Sequence, residues 1–300
     1  MERLLPRKTI ESFAGKFMAG MTLFACSLIV LIAFGLFYKS IPLFSVKPLW
    51  DLVFSGSWSP LRGEFGFLPF IMGSLWVTGV AVVIAIPPSI LSAVYLSEYA
   101  PVRVRESVKP LIDILAGIPS IVYGMWGILV VVPLVKQHVA PLFQSFTAGY
   151  CVLTAGVVLA IMIVPIIIHV SMEVLQVVPH IVKEASLSLG ATQWETTRHV
   201  CLRKALPGII AAAVLGISRA FGETMAVLMV AGNVARSPGS LFDPAYPLPA
   251  LIANNYGELL SIPLYDSALL FSALLLFAVV LAFNVLSTII LARVERSIAS

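Results

Sequence analysis

The sequence predicts an all-α integral membrane protein whose core is a six-transmembrane-helix bundle. Of its 300 residues, 59% are hydrophobic and only 11% are charged. The apolar residues fall in continuous runs, whereas the strands of a membrane β-barrel alternate apolar and polar residues. A helix needs about 20 mostly apolar residues to cross the hydrocarbon layer. Six runs meet this requirement, at 18–38, 70–96, 111–135, 147–172, 207–231 and 267–292.

The first run follows a basic leader, which raises the alternative of a secretory signal peptide. Its apolar stretch is as long as a full transmembrane span, and no Ala-x-Ala-like cleavage site follows Phe37. We therefore expect residues 18–38 to remain as the first transmembrane helix.

The distribution of basic residues predicts the orientation of the helices. Thirteen of the 19 Lys and Arg residues lie in the N-terminal tail, the 97–110 loop, the 173–207 loop and the C-terminal tail. Five lie in the remaining connections, and Arg219 lies inside a span. Because cytoplasmic loops carry the excess of positive charge, both termini and the 173–207 loop are predicted to be cytoplasmic. The net charge of +4 follows from this asymmetry and does not indicate nucleic-acid binding.

Motifs for catalysis or metal binding are absent from the sequence. It contains no phosphate-binding P-loop, no G-x-S-x-G turn and no H-E-x-x-H pair. The four histidines and three cysteines show no ligand or C-x-x-C spacing. We therefore expect no enzyme activity and no cofactor bound by this chain.

Two long connections lie on the predicted outer side, at 39–69 and 232–266. The first contains Trp50 and Trp58 together with several prolines. Loops of this kind suit the docking of an external partner, but structured lids with interfacial aromatic anchors are an equally good interpretation.

The 173–207 loop is predicted to form a compact knob of two helices. Apolar residues recur at nearly helical spacing from Val174 to Leu189, and Pro179 marks a helix start. Gly190 permits a sharp turn. Thr192 and Glu195 have the spacing of a capping box, so a second short helix is expected from about 192 to 204. An ordinary interfacial hairpin would show the same spacing.

The same loop resembles the EAA signature of ABC-importer permeases, which forms the coupling loop to the ATPase subunits. The matching residues are Glu184, Ala185, Ser186, Gly190, Val200 and Leu202. Ser186 replaces the second alanine of the signature, Val200 replaces isoleucine, and Arg203 stands where proline is expected.

Beyond the loop, the chain from about residue 66 resembles the PstC family of phosphate-importer permeases. Four motifs carry this resemblance: Phe67 to Gly73, Tyr95 to Pro101, Gly117 to Gly124 and Arg219 to Val227. The resemblance implies a transporter domain at 67–300, preceded at 1–66 by a tail, the first helix and an outer loop. It also implies a multi-pass protein of the bacterial inner membrane.

The partners follow from the resemblance as well. Members of this family work with a PstA-like second permease, two PstB-like ATPase subunits that use ATP and Mg, and a PstS-like external phosphate-binding protein. Membrane lipid is a further partner, and nucleic acid is not expected.

Arg219 and Glu223 are the candidate residues of the transport path or its gate. Their spacing would place them on one face of the fifth helix, and Arg219 lies near the middle of the run. Charges at this depth usually face a bundle interior or an aqueous path. The resemblance associates this pair with transport, and a purely structural ion pair is the alternative.

The third run contains Gly117, Pro119, Gly124 and Gly127. These residues would allow the helix to open and expose its backbone to the path, or equally would allow close contact with another helix.

Two further functions remain open from the residues alone. One is a proton-coupled secondary transporter in which Arg219 and Glu223 form a relay, and the other is a scaffold whose cytoplasmic loop recruits an enzyme. Within the importer class, an oxyanion other than phosphate is also compatible with the sequence.

Overall fold

The computed structural model describes residues 7–257 and 264–299. It is almost entirely helical and contains six helices that are long and apolar enough to cross a membrane. In the described part these are Glu11–Phe44, Leu68–Tyr99, Ser120–Leu142, Val152–Gln176, Gln193–Gly222 and Tyr265–Ile289. The predicted six-helix bundle is therefore confirmed, although the bounds of several helices differ from those predicted.

The first and last helices form one side of the molecule. α1 (Arg7–Phe44) packs along α14 (Tyr265–Ala299). Most of the described side chains of α1 are exposed, which agrees with a helix that contacts lipid or another subunit rather than the core of this chain.

The connection after α1, predicted to lie outside, is a structured cap. It contains α2 (Leu49–Phe54) and a short antiparallel hairpin of β1 (Trp58–Ser59) and β2 (Glu64–Phe65). The ring of Trp58 lies 4.8 Å from that of Phe70 and 5.4 Å from that of Phe67. This aromatic cluster anchors the cap on the bundle, as the lid interpretation of the loop predicts.

The second and fourth spans form the centre of the bundle. α3 (Leu68–Val94) packs closely along α8 (Val152–Gln176), and α8 is the most deeply buried of the six spans. Gly156 makes the close approach possible, since an added Cβ atom would lie 2.4 Å from Val80. α3 continues into a wider π-helical turn at Tyr95–Tyr99.

The third span begins later than the sequence predicted. α4 (Val102–Gly117) is an amphipathic helix whose polar residues continue to Asp113, and the chain then breaks at Ile118 and Pro119. α5 (Ser120–Trp126) follows and continues through π-helical turns and the short helices α6 (Val132–Leu134) and α7 (Ala140–Leu142). The prediction of 111–135 was wrong because the last turns of α4 are apolar enough to look like part of the span.

The remaining elements are the helices of the 173–207 loop, the fifth span and the connection that follows it. α9 (His180–Ser188) and α10 (Gln193–Glu195) belong to the 173–207 loop. α11 (Leu202–Gly222) and α12 (Met225–Val230) form the fifth span and the segment after it, and α13 (Leu248–Asn255) lies in the second outer connection. The end of the predicted 232–266 loop falls partly outside the described residues.

Candidate functional site: the coupling loop and the broken fifth span

The 173–207 loop has the predicted helix, turn and helix. α9 begins directly after Pro179, and Gly190 adopts a φ of +87° that residues with a Cβ atom rarely adopt. The hydroxyl of Thr192 accepts the backbone N–H of Glu195, while the Glu195 carboxylate accepts the backbone N–H of Thr192. The capping box is therefore confirmed.

The second helix of this loop does not stop near residue 204. It runs from Gln193 to Gly222 as one helix and includes a π-helical stretch at Thr196–Cys201. Pro207 lies inside it. The loop is therefore joined to the fifth span by continuous helix.

The EAA-like residues occupy different environments. Glu184 and Ala185 are exposed on α9, while Val200 and Leu202 are half-buried. The Ser186 hydroxyl lies 2.9 Å from that of Thr196 and joins the two helices of the loop. The serine that replaces alanine in the signature thus holds the knob together.

α9 and the residues that flank it also present an apolar surface that the described part of this chain does not cover. Val177 is 79% exposed, Ile181 74% and Leu189 89%. Of the apolar residues that recur at helical spacing here, Val178 is buried and Val174 and Val182 are partly buried. An exposed apolar surface on a polar loop is typical of a docking site for another protein.

Glu98 attaches this loop to the second span and was missed by the sequence analysis. Its Oε1 atom lies 2.7 Å from Lys183 Nζ, and its Oε2 atom accepts the Cys201 thiol at 3.7 Å. Its backbone oxygen accepts Gln193 Nε2 at 2.8 Å. The sequence did contain a signal for this contact: Glu98 lies beside the end of an apolar run, and a carboxylate that is buried there needs a partner.

A second polar cluster links α4 to the fourth span. His169 Nδ1 lies 3.1 Å from Asp113 Oδ1, and its Nε2 atom lies 3.2 Å from Glu173 Oε1. The imidazole of His169 thus joins the carboxylates of Asp113 and Glu173.

Arg219 and Glu223 do not lie on one helical face. α11 ends at Gly222, Glu223 has the extended angles φ −73° and ψ 122°, and α12 begins at Met225. No ion pair joins these two side chains in the described parts of the chain. The predicted pair at i and i+4 was therefore wrong, because Gly222 allows the helix to end just before Glu223.

The two charges instead have separate surroundings at the break. Arg219 is exposed on the last turn of α11, where the helix dipole favours a cation. Glu223 is half-buried, and its Oε1 atom accepts the backbone N–H of Ala226 at 3.4 Å. It lines a small pocket of about 10 Å³, beside Ser74 and Thr78 of α3.

The exposure of Arg219 has a direct physical consequence. A charged side chain facing lipid near the bilayer centre costs about 2.5 to 3.5 kcal/mol. Irregular backbone at this depth is tolerated only where protein covers it or a water-filled cavity receives it. The Arg219 surface is therefore suited to a second subunit or an aqueous path.

The third span is broken beside the same region. Tyr123 donates its hydroxyl to the backbone oxygen of Leu115 at 2.7 Å, which joins α5 to α4 across the break. α12 packs against α5, and an added Cβ atom at Gly124 would lie 2.7 Å from Met229 Sδ. At Gly127 it would lie 2.7 Å from Val158. Because Gly124 and Gly127 have no side chains, the neighbouring helices can pack closely against the third span at these positions.

Comparison with known proteins places these features in a family. Residues 85–300 match the profile of the binding-protein-dependent transport system inner membrane component. The phosphate transport system permease protein PstC of Xylella fastidiosa is 39% identical over 257 residues, which cover 81% of this chain and 79% of that protein. A probable phosphate transport system permease protein PstC of Methanocaldococcus jannaschii is 34% identical over 281 residues, 89% of each chain.

The fold agrees with solved transporter structures. A bacterial alginate ABC transporter in complex with an alginate pentasaccharide-bound periplasmic protein aligns with a TM-score of 0.61 and 14% identity, over 95% of this chain and 96% of that one. An inward-facing MetNI methionine ABC transporter aligns with a TM-score of 0.57 and 21% identity, over 74% and 93%. The chain is a non-enzymatic, multi-pass permease subunit of the inner membrane, and it belongs to the binding-protein-dependent transport system inner membrane component family, in its PstC group.

Proposed function

We propose that this chain is the PstC-type permease subunit of an ATP-driven importer of inorganic phosphate. It would form the translocation path with a PstA-like permease. Two PstB-like subunits would bind ATP and Mg and dock on the 173–207 loop, and a PstS-like protein would deliver phosphate to the outer loops. The relatives named PstC support the substrate class.

The observation that carries this function is the exposed Arg219 at the break of the fifth span. A guanidinium presents a planar fork of donors that matches phosphate oxygens. Because no ion pair engages it within the described residues, its charge is free to serve an anion or a partner subunit. Glu223 is held by the backbone of α12 and is better placed to shape the break than to neutralise Arg219.

The two other functions considered from the sequence are less well supported. A proton relay through Arg219 and Glu223 requires the two groups to be adjacent, and the break separates their surroundings. A scaffold without transport gives no reason for an exposed arginine in a membrane span. Uptake by the isolated chain under a proton gradient would favour the relay, and a complete absence of flux would favour the scaffold.

The test is ATP-dependent uptake of radiolabelled phosphate by the reconstituted complex with its binding protein. Arg219→Gln is expected to reduce uptake at least tenfold, consistent with about 2 kcal/mol or more for a lost charged contact. Arg219→Lys is expected to recover uptake only in part, because it keeps the charge but loses the fork. Glu223→Gln should have a smaller effect, since an amide oxygen can still accept the Ala226 N–H.

Assembly is measured on the same samples by co-purification of the ATPase subunits. In the described structure, Arg219→Gln leaves no opposite charge unpaired, so assembly is expected to be normal. Failure of both variants to assemble would make these residues structural, as would full uptake by the charge-swapped double variant. Competition by other oxyanions in the same assay identifies the substrate, and uptake that phosphate does not inhibit would overturn the assignment.

A further inference from the structure

A cavity of about 420 Å³ lies between α4, the π-helical turn after α3, and the N-terminus of α9. Its lining includes Ser97, Arg105, Lys109, His180 and Lys183. The cavity is separate from the Arg219 region and from the exposed apolar residues of α9. We name it the α4–α9 cavity.

The charge of this cavity is positive. Arg105 and Lys109 lie one turn apart on α4, and neither has an ion-pair partner in the described parts of the chain. Lys183 is matched by Glu98 at 2.7 Å, and Glu106 is the one acidic residue in the lining. With Lys183 matched by Glu98, the two cations Arg105 and Lys109 outweigh Glu106, and the lining carries one net positive charge.

The cavity also contains hydrogen-bonding groups without partners. The hydroxyl oxygen of Ser97 is buried and makes no hydrogen bond. α9 begins at His180 after Pro179, and no side chain caps its first turn. The free N–H groups of a helix N-terminus favour an anion. A buried hydroxyl, an uncapped helix and two unpaired cations thus converge on one space.

From these features we propose that the α4–α9 cavity binds a phosphate oxyanion group. With the predicted orientation it opens at the cytoplasmic interface, where basic pockets bind the headgroups of anionic lipids. Free inorganic phosphate in the cytoplasm has the same chemistry. Either ligand would join α4 to the first turn of α9.

Occupancy of the cavity would affect the coupling loop without blocking its docking surface. His180 and Lys183 lie three residues apart on the side of α9 that faces the cavity. Ile181 and Ala185 lie four residues apart on a different, exposed side. A bound oxyanion therefore stabilises the position of α9 while leaving its apolar surface free for the ATPase.

The test uses the whole purified complex, stripped of lipid in detergent, and follows its thermal unfolding. One arm adds inorganic phosphate against chloride at equal ionic strength. The other compares phosphatidylcholine nanodiscs with nanodiscs that contain phosphatidylglycerol. The variants are Arg105→Gln and the matched control Arg103→Gln, which removes one exposed charge from the same helix outside the cavity.

We expect ligand to stabilise the wild type and Arg103→Gln equally, and Arg105→Gln to need about tenfold more ligand, as the loss of one charged hydrogen bond predicts. Lys109→Gln, an exposed position on α4, gives the same comparison if Arg105→Gln does not fold. Response in the phosphate arm alone identifies free phosphate, and response in the nanodisc arm alone identifies a lipid headgroup.

Equal responses of Arg105→Gln and Arg103→Gln would overturn the proposal, as would the absence of stabilisation in both arms. Phosphate that binds only in the transport path would stabilise both variants equally, so it cannot imitate the expected result. Because uptake is not the readout, the outcome is independent of which substrate the complex transports.

Discussion

The contact between Glu98 and Lys183 is expected to hold the coupling loop on the bundle. The two side chains are only 8% and 15% exposed, and their charged atoms lie 2.7 Å apart. We consider Glu98→Gln, which removes the carboxylate charge, Lys183→Met, which removes the ammonium, and the double variant, which removes both.

The magnitude follows from the burial of the pair. Removing one partner of a buried ion pair costs about 3 to 5 kcal/mol, because the remaining charge stays buried and unpaired. Glu98→Gln leaves the Lys183 ammonium in this state. The double variant leaves no buried charge at this site, so it should be less destabilised than the two single variants together, by about 1 to 3 kcal/mol.

The assay is denaturant unfolding of the purified complex, combined with ATP hydrolysis and substrate uptake after reconstitution. With α9 detached from the second span, ATP hydrolysis should continue while uptake per ATP falls. Lys204→Met is the control, since Lys204 is an exposed lysine of the same loop and its loss should change neither quantity.

Two results would refute this reasoning. If the destabilisation of the double variant equals the sum of the single ones, the two residues do not interact. If every variant keeps the wild-type ratio of uptake to ATP hydrolysed, the contact contributes to stability but not to coupling.

Four further predictions concern the turn, the exposed residue Glu184, the outer loop and the helix contacts. Gly190→Val should destabilise the turn by about 1 to 2 kcal/mol because the backbone at this position has a positive φ, and it should weaken ATPase co-purification. Gly190→Asn should have a milder effect. Equal effects of the two variants would contradict the backbone explanation. Glu184→Lys should reduce ATPase co-purification while the permease still inserts, and wild-type co-purification and uptake would contradict a docking role for this exposed residue. Ser240→Cys in a cysteine-free chain should react with an impermeant reagent from outside and more slowly when the binding protein is present, and reaction only from the cytoplasmic side would overturn the orientation. Gly127→Leu should lower the thermal stability by about 1 to 3 kcal/mol through overpacking, whereas Gly79→Leu, where an added Cβ meets nothing within 4 Å, should not; similar losses in both would contradict the packing role.

The knob of the coupling loop could be predicted because its signals are local. Pro179, Gly190 and the Thr192 and Glu195 pair each fix the backbone within a few residues. The requirement for glycine at position 190 comes from the backbone angle, because an added Cβ would meet nothing within 4 Å in the described structure.

The break in the fifth span could not be predicted from hydropathy. The run from 207 to 231 stays apolar across Gly222, and hydropathy does not distinguish a continuous helix from two helices joined by an extended residue. Tertiary contacts lie beside this break: the rings of Phe221 and Phe283 are 4.6 Å apart, and Ser218 donates to Asn284 Oδ1 at 3.2 Å. The spacing of Arg219 and Glu223 therefore gave the wrong geometry, although both residues lie at the break.

The continuous helix from Gln193 to Gly222 connects the knob mechanically to the region of Arg219. Thirty residues at about 1.5 Å each form a rod of about 45 Å. The capping box fixes the first turn of this helix in the knob, and the helix ends at Gly222, three residues after Arg219. We infer that a tilt of the knob would move Arg219 sideways at the other end of this helix. The π-helical turn at Thr196–Cys201, close to the knob, is where the helix would bend most easily.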